Sequence, residues 1–509
     1  MGFMDSVEKE LLNGDANRSR TENGALGYRT TGKNLLDLNF QTSSLRKKQP
    51  DEIVRKYVDA FLDNKLYALK WLFYLRDARE GLGERRSFRI IMNHLAKNEP
   101  DIAKALVALI PEYGRYDDLM CLFGTECEVF ALAVIKEQLN KDLEDMKTNK
   151  PISLLGKWLP SCNTSSKETR EKGLLISKYL GLNEKGYRKV LSELRKYLKV
   201  VERQMSAKEW DKINYEAVPS RANLNYNGAF LRNDEERRRA YLESLKKGEA
   251  KINASVLFPH DIVNKYRGGR YGSDVSKKDD TLEALWKALP DLVEENPSTM
   301  VIRDGSGSMY CTVDPNSSVM AIDVATALAI YFAERSSGEF KDKYITFGNR
   351  PKVVDLTGMN SLRDKLIRSY KEADCSNTNI EATFNMILNV AIKGKMKQED
   401  MPQNILIVSD MEFDWATSGR TDQTLFNEIA EKFAAHGYKM PRLVFWNVNS
   451  RTGTIPVKEN ELGVALVSGF SVNVVKMVLS GELDPYKCLT DQLDSERYAP
   501  VEAAVKDLL

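Results

Sequence analysis

The sequence predicts an all-α domain, built as a HEAT-like helical solenoid, followed by a doubly wound α/β domain. Three observations carry this. At 509 residues the chain exceeds the roughly 250–300 residues at which a single hydrophobic core stops growing. From Glu52 to about Lys265, apolar residues recur at helical spacing with almost no strand alternation. Beyond about Pro297 the pattern changes to short apolar runs separated by helical stretches, as in a parallel sheet covered on both faces.

Taken in order, residues 1–50 are polar and rich in Asn, Thr and Gly, and are expected to form an irregular arm in which Leu35–Phe40 can dock on a core. Residues 51–296 form the expected helical domain. Ile53, Tyr57 and Phe61 share one helix face, Phe88, Ile91, Met92 and Leu95 another, and Asp101 reads as an N-cap. Gly81-Leu82-Gly83 and Gly114-Arg115-Tyr116-Asp117-Asp118 break the helical pattern, and part of 266–297 reads as a linker. Residues 297–509 form the expected α/β domain. Its strands are read at Met300–Ile302, Tyr344–Phe347, Ile405–Val408, Leu443–Trp446 and Val464–Val467, and its helices include Ala321–Arg335, Ile380–Ile392, Leu425–Ala435 and Val472–Leu479.

Hydrophobic residues make up 42% and charged residues 29%, ordinary for a globular chain. No apolar run of about 18 residues is present, so no membrane span is expected. The six cysteines form no C-x-x-C pair and only three histidines exist, which argues against a structural zinc site and for reduced cytoplasmic thiols. Net charge is only +2, but residues 151–270 hold about 25 Lys and Arg against about 14 Asp and Glu. A segment this basic is a candidate for binding a polyanion. Arg188, Lys189, Arg195, Lys196, Lys199 and Arg203 interleave with Tyr187 and Tyr197. Arg237 and Arg238 lie in an arginine cluster, and Arg267, Arg270 and Tyr271 lie on a Gly-rich turn. Cations contact phosphates without reading sequence, and aromatics stack bases.

Three polar clusters fall at the carboxyl ends of expected strands or at the opening of a helix: Asp304-Gly305-Ser306-Gly307-Ser308, Ser376-Asn377-Thr378-Asn379 and Ser409-Asp410. Ligands of doubly wound sheets bind beyond those strand ends. A set of two carboxylates and three hydroxyls is a hard-oxygen site suited to Mg²⁺, with Ca²⁺ and Mn²⁺ as alternatives. Asp304, Ser306, Ser308, Thr378 and Asp410 are the candidate ligands. In the expected arrangement the three hydroxyls touch the metal, the two aspartates stand behind waters, and one position stays open for a partner's carboxylate or phosphate. The sequence holds no P-loop, no dinucleotide fingerprint, no nucleophile–His–acid set and no evident general base, so no enzymatic activity is expected. The dense charges at Arg76, Asp77, Arg79, Glu80, Glu84 and Arg85 read as a salt-bridge network.

The order of these three clusters resembles the metal-ion-dependent adhesion site of the von Willebrand factor A family, with all five positions filled. The whole chain resembles the Ro autoantigen (TROVE) proteins, and more closely a Ro-related family with a domain of unknown function. The phrases that carry this are Thr21–Thr30, Leu75–Arg85, Gly114–Leu119, Lys157–Pro160 and Asp304–Tyr310. In Ro proteins the helical repeats close into a ring that binds small non-coding and misfolded RNAs. The resemblance therefore implies an RNA-binding scaffold, monomeric and cytoplasmic, whose metal site engages an acidic residue of a protein partner such as a nuclease. A metal-dependent protein-interaction module without RNA is the alternative.

Overall fold

The computed structural model describes residues 16–24, 26–268, 274–293, 298–315, 317–347, 351–372, 380–413, 425–456, 464–475, 477, 482 and 484–509. The chain is mixed α/β and divides into two compact units, neither of them continuous in sequence. One comprises residues 1–49 and 257–492, the other 50–256 and 493–509.

The first unit is built on a six-stranded sheet. Its strands are β1 (Thr299–Asp304), β2 (Lys343–Phe347), β3 (Lys352–Asp355), β4 (Asn404–Ser409), β5 (Arg442–Asn447) and β6 (Val464–Ser468), in the spatial order β6-β5-β4-β1-β2-β3. All neighbours are parallel except β2 and β3, which form an antiparallel edge. Every residue of β1, β4, β5 and β6 is buried, as expected where helices cover both faces. Helix Ala321–Arg335 is apolar almost all round, and it is buried from Ala321 through Ala333.

Several elements of this unit escaped the sequence reading, among them the paired strands Arg18–Arg20 and Leu26–Tyr28 and helices Asp280–Lys287 and Pro485–Leu493. Edge strand β3 has only Val354 buried, so it carries no apolar run. Helix Leu362–Lys371 is marked only by its cap, where Ser361 Oγ accepts from Asp364 N (3.1 Å). Of the expected helix Val472–Leu479, a short 3₁₀ turn at Val472–Val474 is observed, and much of the remainder lies outside the described residues.

Residues 257–296 also belong to the sheet unit, not to the helical domain or a linker as expected. Helix Pro259–Tyr266 packs on Ala321–Arg335. Arg267 pairs with buried Asp323 (2.9 Å). Glu283 accepts from Leu362 N (2.8 Å) and Arg363 N (3.1 Å), so it caps another helix of the same unit.

Among its described residues the second unit is helical throughout. Its core holds Tyr57, Trp71, Phe73, Phe88 and Tyr113, all buried and packed ring to ring in part. A further core gathers Val201, Ile213, Tyr215, Val218, Phe230 and Tyr241. Arg76 and Arg89 both bind Asp118 (2.7 and 2.6 Å), and Asp118 Oδ2 also accepts from Arg115 N (2.9 Å). Of the charges singled out in the sequence, Arg76 enters this buried network, buried Asp77 pairs with Arg497 (2.8 Å), and Arg79 pairs with Glu112 at the surface (3.0 Å). The last residues, expected in the α/β domain, complete this unit instead. Helix Ala499–Val505 packs on Lys65–Arg76 and Pro100–Leu106, and buried Lys70 pairs with Asp494 (2.8 Å) and Glu502 (2.7 Å). Among the described residues no helix is long and apolar enough to cross a membrane.

Candidate metal centre

Parallel pairing of β1 with β4 brings Asp304 and Ser409-Asp410 to adjacent strand ends. Asp304 is fully buried. Its Oδ2 accepts from Ser409 Oγ (2.6 Å) and its Oδ1 from Ser306 N (2.9 Å), which folds the loop back over the strand end. Ser306 and Ser308 hydroxyls lie 2.9 Å apart, so alternate residues of the loop do aim at one point. Asp410 is also fully buried. Its Oδ1 accepts a long bond from Glu412 N (3.3 Å), while its Oδ2 is buried with no hydrogen-bond partner. Four of the five predicted ligands are therefore brought together, and Thr378 lies outside the described residues.

The electrostatics of this cluster are those of crowded, buried carboxyls. Burial pushes the Asp304 carboxyl up. Burial, and then the charge of Asp304, push Asp410 up to about 7. Two carboxylates packed together in a dry corner, one with an orphaned oxygen, fit a divalent cation that would neutralise both. The donors are oxygen only, which suits Mg²⁺, and Ser306, Ser308, Asp304 and Asp410 are the residues that would hold it. Among the described residues, no group of three or more His, Cys, Asp or Glu side chains is placed to hold a metal. The candidate site therefore depends on its hydroxyls.

The structure adds participants that carried no signal in the sequence. Just after Asp410 the backbone turns left-handed at Met411 (φ 63°), a strained conformation for a non-glycine residue. Ser409 Oγ accepts from Met411 N (2.9 Å) and helps to hold it. Glu412 is buried and collects Arg451 N and Thr452 N (both 2.9 Å) and Glu22 N (2.8 Å). Asn23 Nδ2 donates to Glu412 O (2.7 Å) and Thr21 Oγ1 to Phe413 O, so the N-terminal arm clamps the loop that carries Asp410. Arg451 is paired with Glu22, and its guanidinium stands 3.7 Å from Asp410 Oδ2.

Comparison with known proteins matches two adjoining segments of the chain. Residues 163–298 match the domain of unknown function DUF2828, and residues 298–504 match the domain of unknown function DUF7788. The chain is 30% identical to "Uncharacterized protein L728" of Acanthamoeba polyphaga mimivirus, across 96% of this chain and 89% of the viral one. The chain belongs to the family of that viral protein. In family terms, Asp304, Ser306, Ser308 and Asp410 all lie in the DUF7788 segment, which opens one residue before β1.

The candidate RNA-contacting cations lie in the DUF2828 segment, and the structure sorts them. Arg188, Lys189, Lys196 and Lys199 are exposed. Arg195 is tied to the backbone at Gly156 O and Leu159 O (both 2.8 Å), and Arg203 is paired with Glu209 (2.6 Å), yet both border clefts. Arg237 is half engaged, donating to Trp210 O and Ile213 O (both 2.8 Å). Arg238 corrects the sequence reading. It is fully buried among Tyr215, Phe230 and Tyr241 and bonds Asn223 and Asn227, so it is a core residue closed to any ligand. Arg267 is likewise taken up by Asp323 and Ser318 O. Tyr187, expected to stack, is buried with its hydroxyl on Pro160 O (3.0 Å). Arg270 and Tyr271 lie outside the described residues.

Proposed function

We propose that the protein is an RNA-binding scaffold with a separate metal-dependent site that grips an acidic group of a protein partner. The helical unit is read as a Ro-like solenoid or ring and the sheet unit as a von Willebrand A-type fold binding Mg²⁺, in a monomer that works in the cytoplasm and turns over no substrate. The observation that carries the RNA half is a pair of clefts, of about 470 and 500 Å³, that share Arg203. One is bordered by Lys196, Lys199 and Lys212, the other by Lys157, Arg188 and Arg195. The second cleft also presents Trp158, whose ring carries the Arg115 guanidinium 3.8 Å from its centroid. Cations along a groove with an aromatic at its wall suit a single-stranded phosphate backbone with one stacked base.

The test is filter binding of single-stranded RNA across a salt titration. The expected result is an affinity that falls steeply with salt, and a weakened complex with Arg188→Glu and Lys199→Glu. No affinity at low salt, or a flat salt slope, would overturn the reading.

The second reading, a metal-dependent interaction module without RNA, is favoured by the assembled Asp304–Asp410 corner. It predicts that Asp304→Ala abolishes partner capture from cell extract while no nucleic acid copurifies with the native protein.

A further inference from the structure

The metal corner has a cation of its own. Among the described residues, the guanidinium of Arg451 is the cationic group recorded within ion-pair distance of Asp410, at 3.7 Å from Oδ2. That separation gives charge compensation without a hydrogen bond, which leaves the oxygen orphaned. Arg451 is not free to move closer. Its guanidinium is paired with Glu22 on the N-terminal arm, and Glu22 N is anchored on Glu412 Oε2 (2.8 Å) two residues beyond Asp410. Arg451 N is bonded to the same Glu412 (2.9 Å), so arm and arginine share one buried post.

We propose that Arg451, held back by Glu22, sets the affinity of the metal site by competing with the divalent cation for Asp410. This rests on the metal reading above and adds the residues that tune it. Without a divalent ion, the buried Asp410 carboxylate needs a positive charge nearby, and Arg451 supplies it, while Arg303 acts on Asp304. A divalent ion at Asp304 and Asp410 would then face a guanidinium of like charge, and each would weaken the other's hold on Asp410. Glu22 is the counterweight. It draws Arg451 toward the arm and away from the carboxylate. Arg451 is thus a positioning residue for the site and not one of its ligands.

The test is Mn²⁺ binding to the full chain, followed by electron paramagnetic resonance of free Mn²⁺ and by calorimetry. Arg451→Gln and Arg451→Ala are expected to tighten Mn²⁺ binding about tenfold, and Glu22→Gln to loosen it severalfold. A merely structural role would weaken binding in all three. Lys47→Ala is the control for bulk electrostatics, because Lys47 acts on the neighbouring Cys311 thiol, which also feels Asp410. It is expected to change binding by less than twofold. Unchanged or weaker binding in a folded Arg451→Gln protein overturns the inference, as does tightening of equal size in Lys47→Ala. A wild-type chain that binds no Mn²⁺ overturns the metal reading itself, and is told apart from the other failures by that one titration.

Discussion

Asp410 makes the candidate metal corner sensitive to pH. Its carboxyl is raised to about 7 by burial and by Asp304, against an ordinary value near 3.8. A folded state that holds its proton more tightly than the unfolded chain loses stability as pH rises between those two values. The metal-free protein is therefore expected to become less stable from about pH 4 to 7, and Asp410→Asn should flatten that slope in thermal unfolding. A divalent ion bound at the proposed site would displace the same proton, so Mn²⁺ affinity should rise with pH up to about 7 and level off above it. A second single-residue prediction concerns Gly114. A Cβ there would meet Asp118 Oδ2 at 2.5 Å and Arg76 Nε at 2.9 Å. Gly114→Ala is expected to force apart a buried ion pair and to destabilise the helical unit by about 3 kcal/mol in urea unfolding. At this scale the sequence was legible where the residue type is the chemistry. Asp304, Ser306, Ser308 and Asp410 were picked out by residue type, and the structure brings them to one corner. Arg238 misled, because an arginine that stacks on Tyr215 and Phe230 in a core is spelled like an arginine in solvent.

Elements were legible in proportion to their burial. β4 and β5 have continuous apolar centres, Ile405–Val408 and Leu443–Trp446, and helix Ala321–Arg335 has the bounds read from its sequence. β3 was invisible because an edge strand with one buried residue has no apolar pattern to read. The N-terminal arm is the instructive case. Its phrase Thr21–Thr30 carries no periodicity, because its partners include loops far away in sequence. Tyr28 bridges to Ile455, and a Cβ on Gly27 would lie 2.6 Å from Thr454 Cγ2 and 2.8 Å from Ile455 O. Gly27→Ala is therefore expected to lift the arm from its seat at a cost of about 1–3 kcal/mol. Limited proteolysis should then cut within residues 16–31 at a protease dose that spares the wild type.

The two units interleave along the chain. Cutting at residue 297, where the sequence pattern changes, removes the arm and residues 257–296 from the sheet unit, and strips helix Ala499–Val505 from the helical one. Fragments 1–296 and 297–509 are each expected to unfold without a cooperative transition and to bind a hydrophobic dye, while their coexpression restores cooperative melting. The pairs of buried Lys70 with half-exposed Asp494 and Glu502 give part of the physical reason, since loss of the last residues strips a buried lysine of both partners. Linear reading of composition missed this, because nothing local marks where a chain crosses from one core to another. The clamp between Asn23 and Glu412 then has a consequence in time. The two residues are 389 positions apart, so at ribosomal speeds of about 5–20 residues per second the arm waits roughly 20–80 s for its seat to be synthesised. Throughout that interval the arm has the pairing of Arg18–Arg20 with Leu26–Tyr28 but not its seat, and the network around Glu412 is completed only once Arg451 and Thr452 have been made.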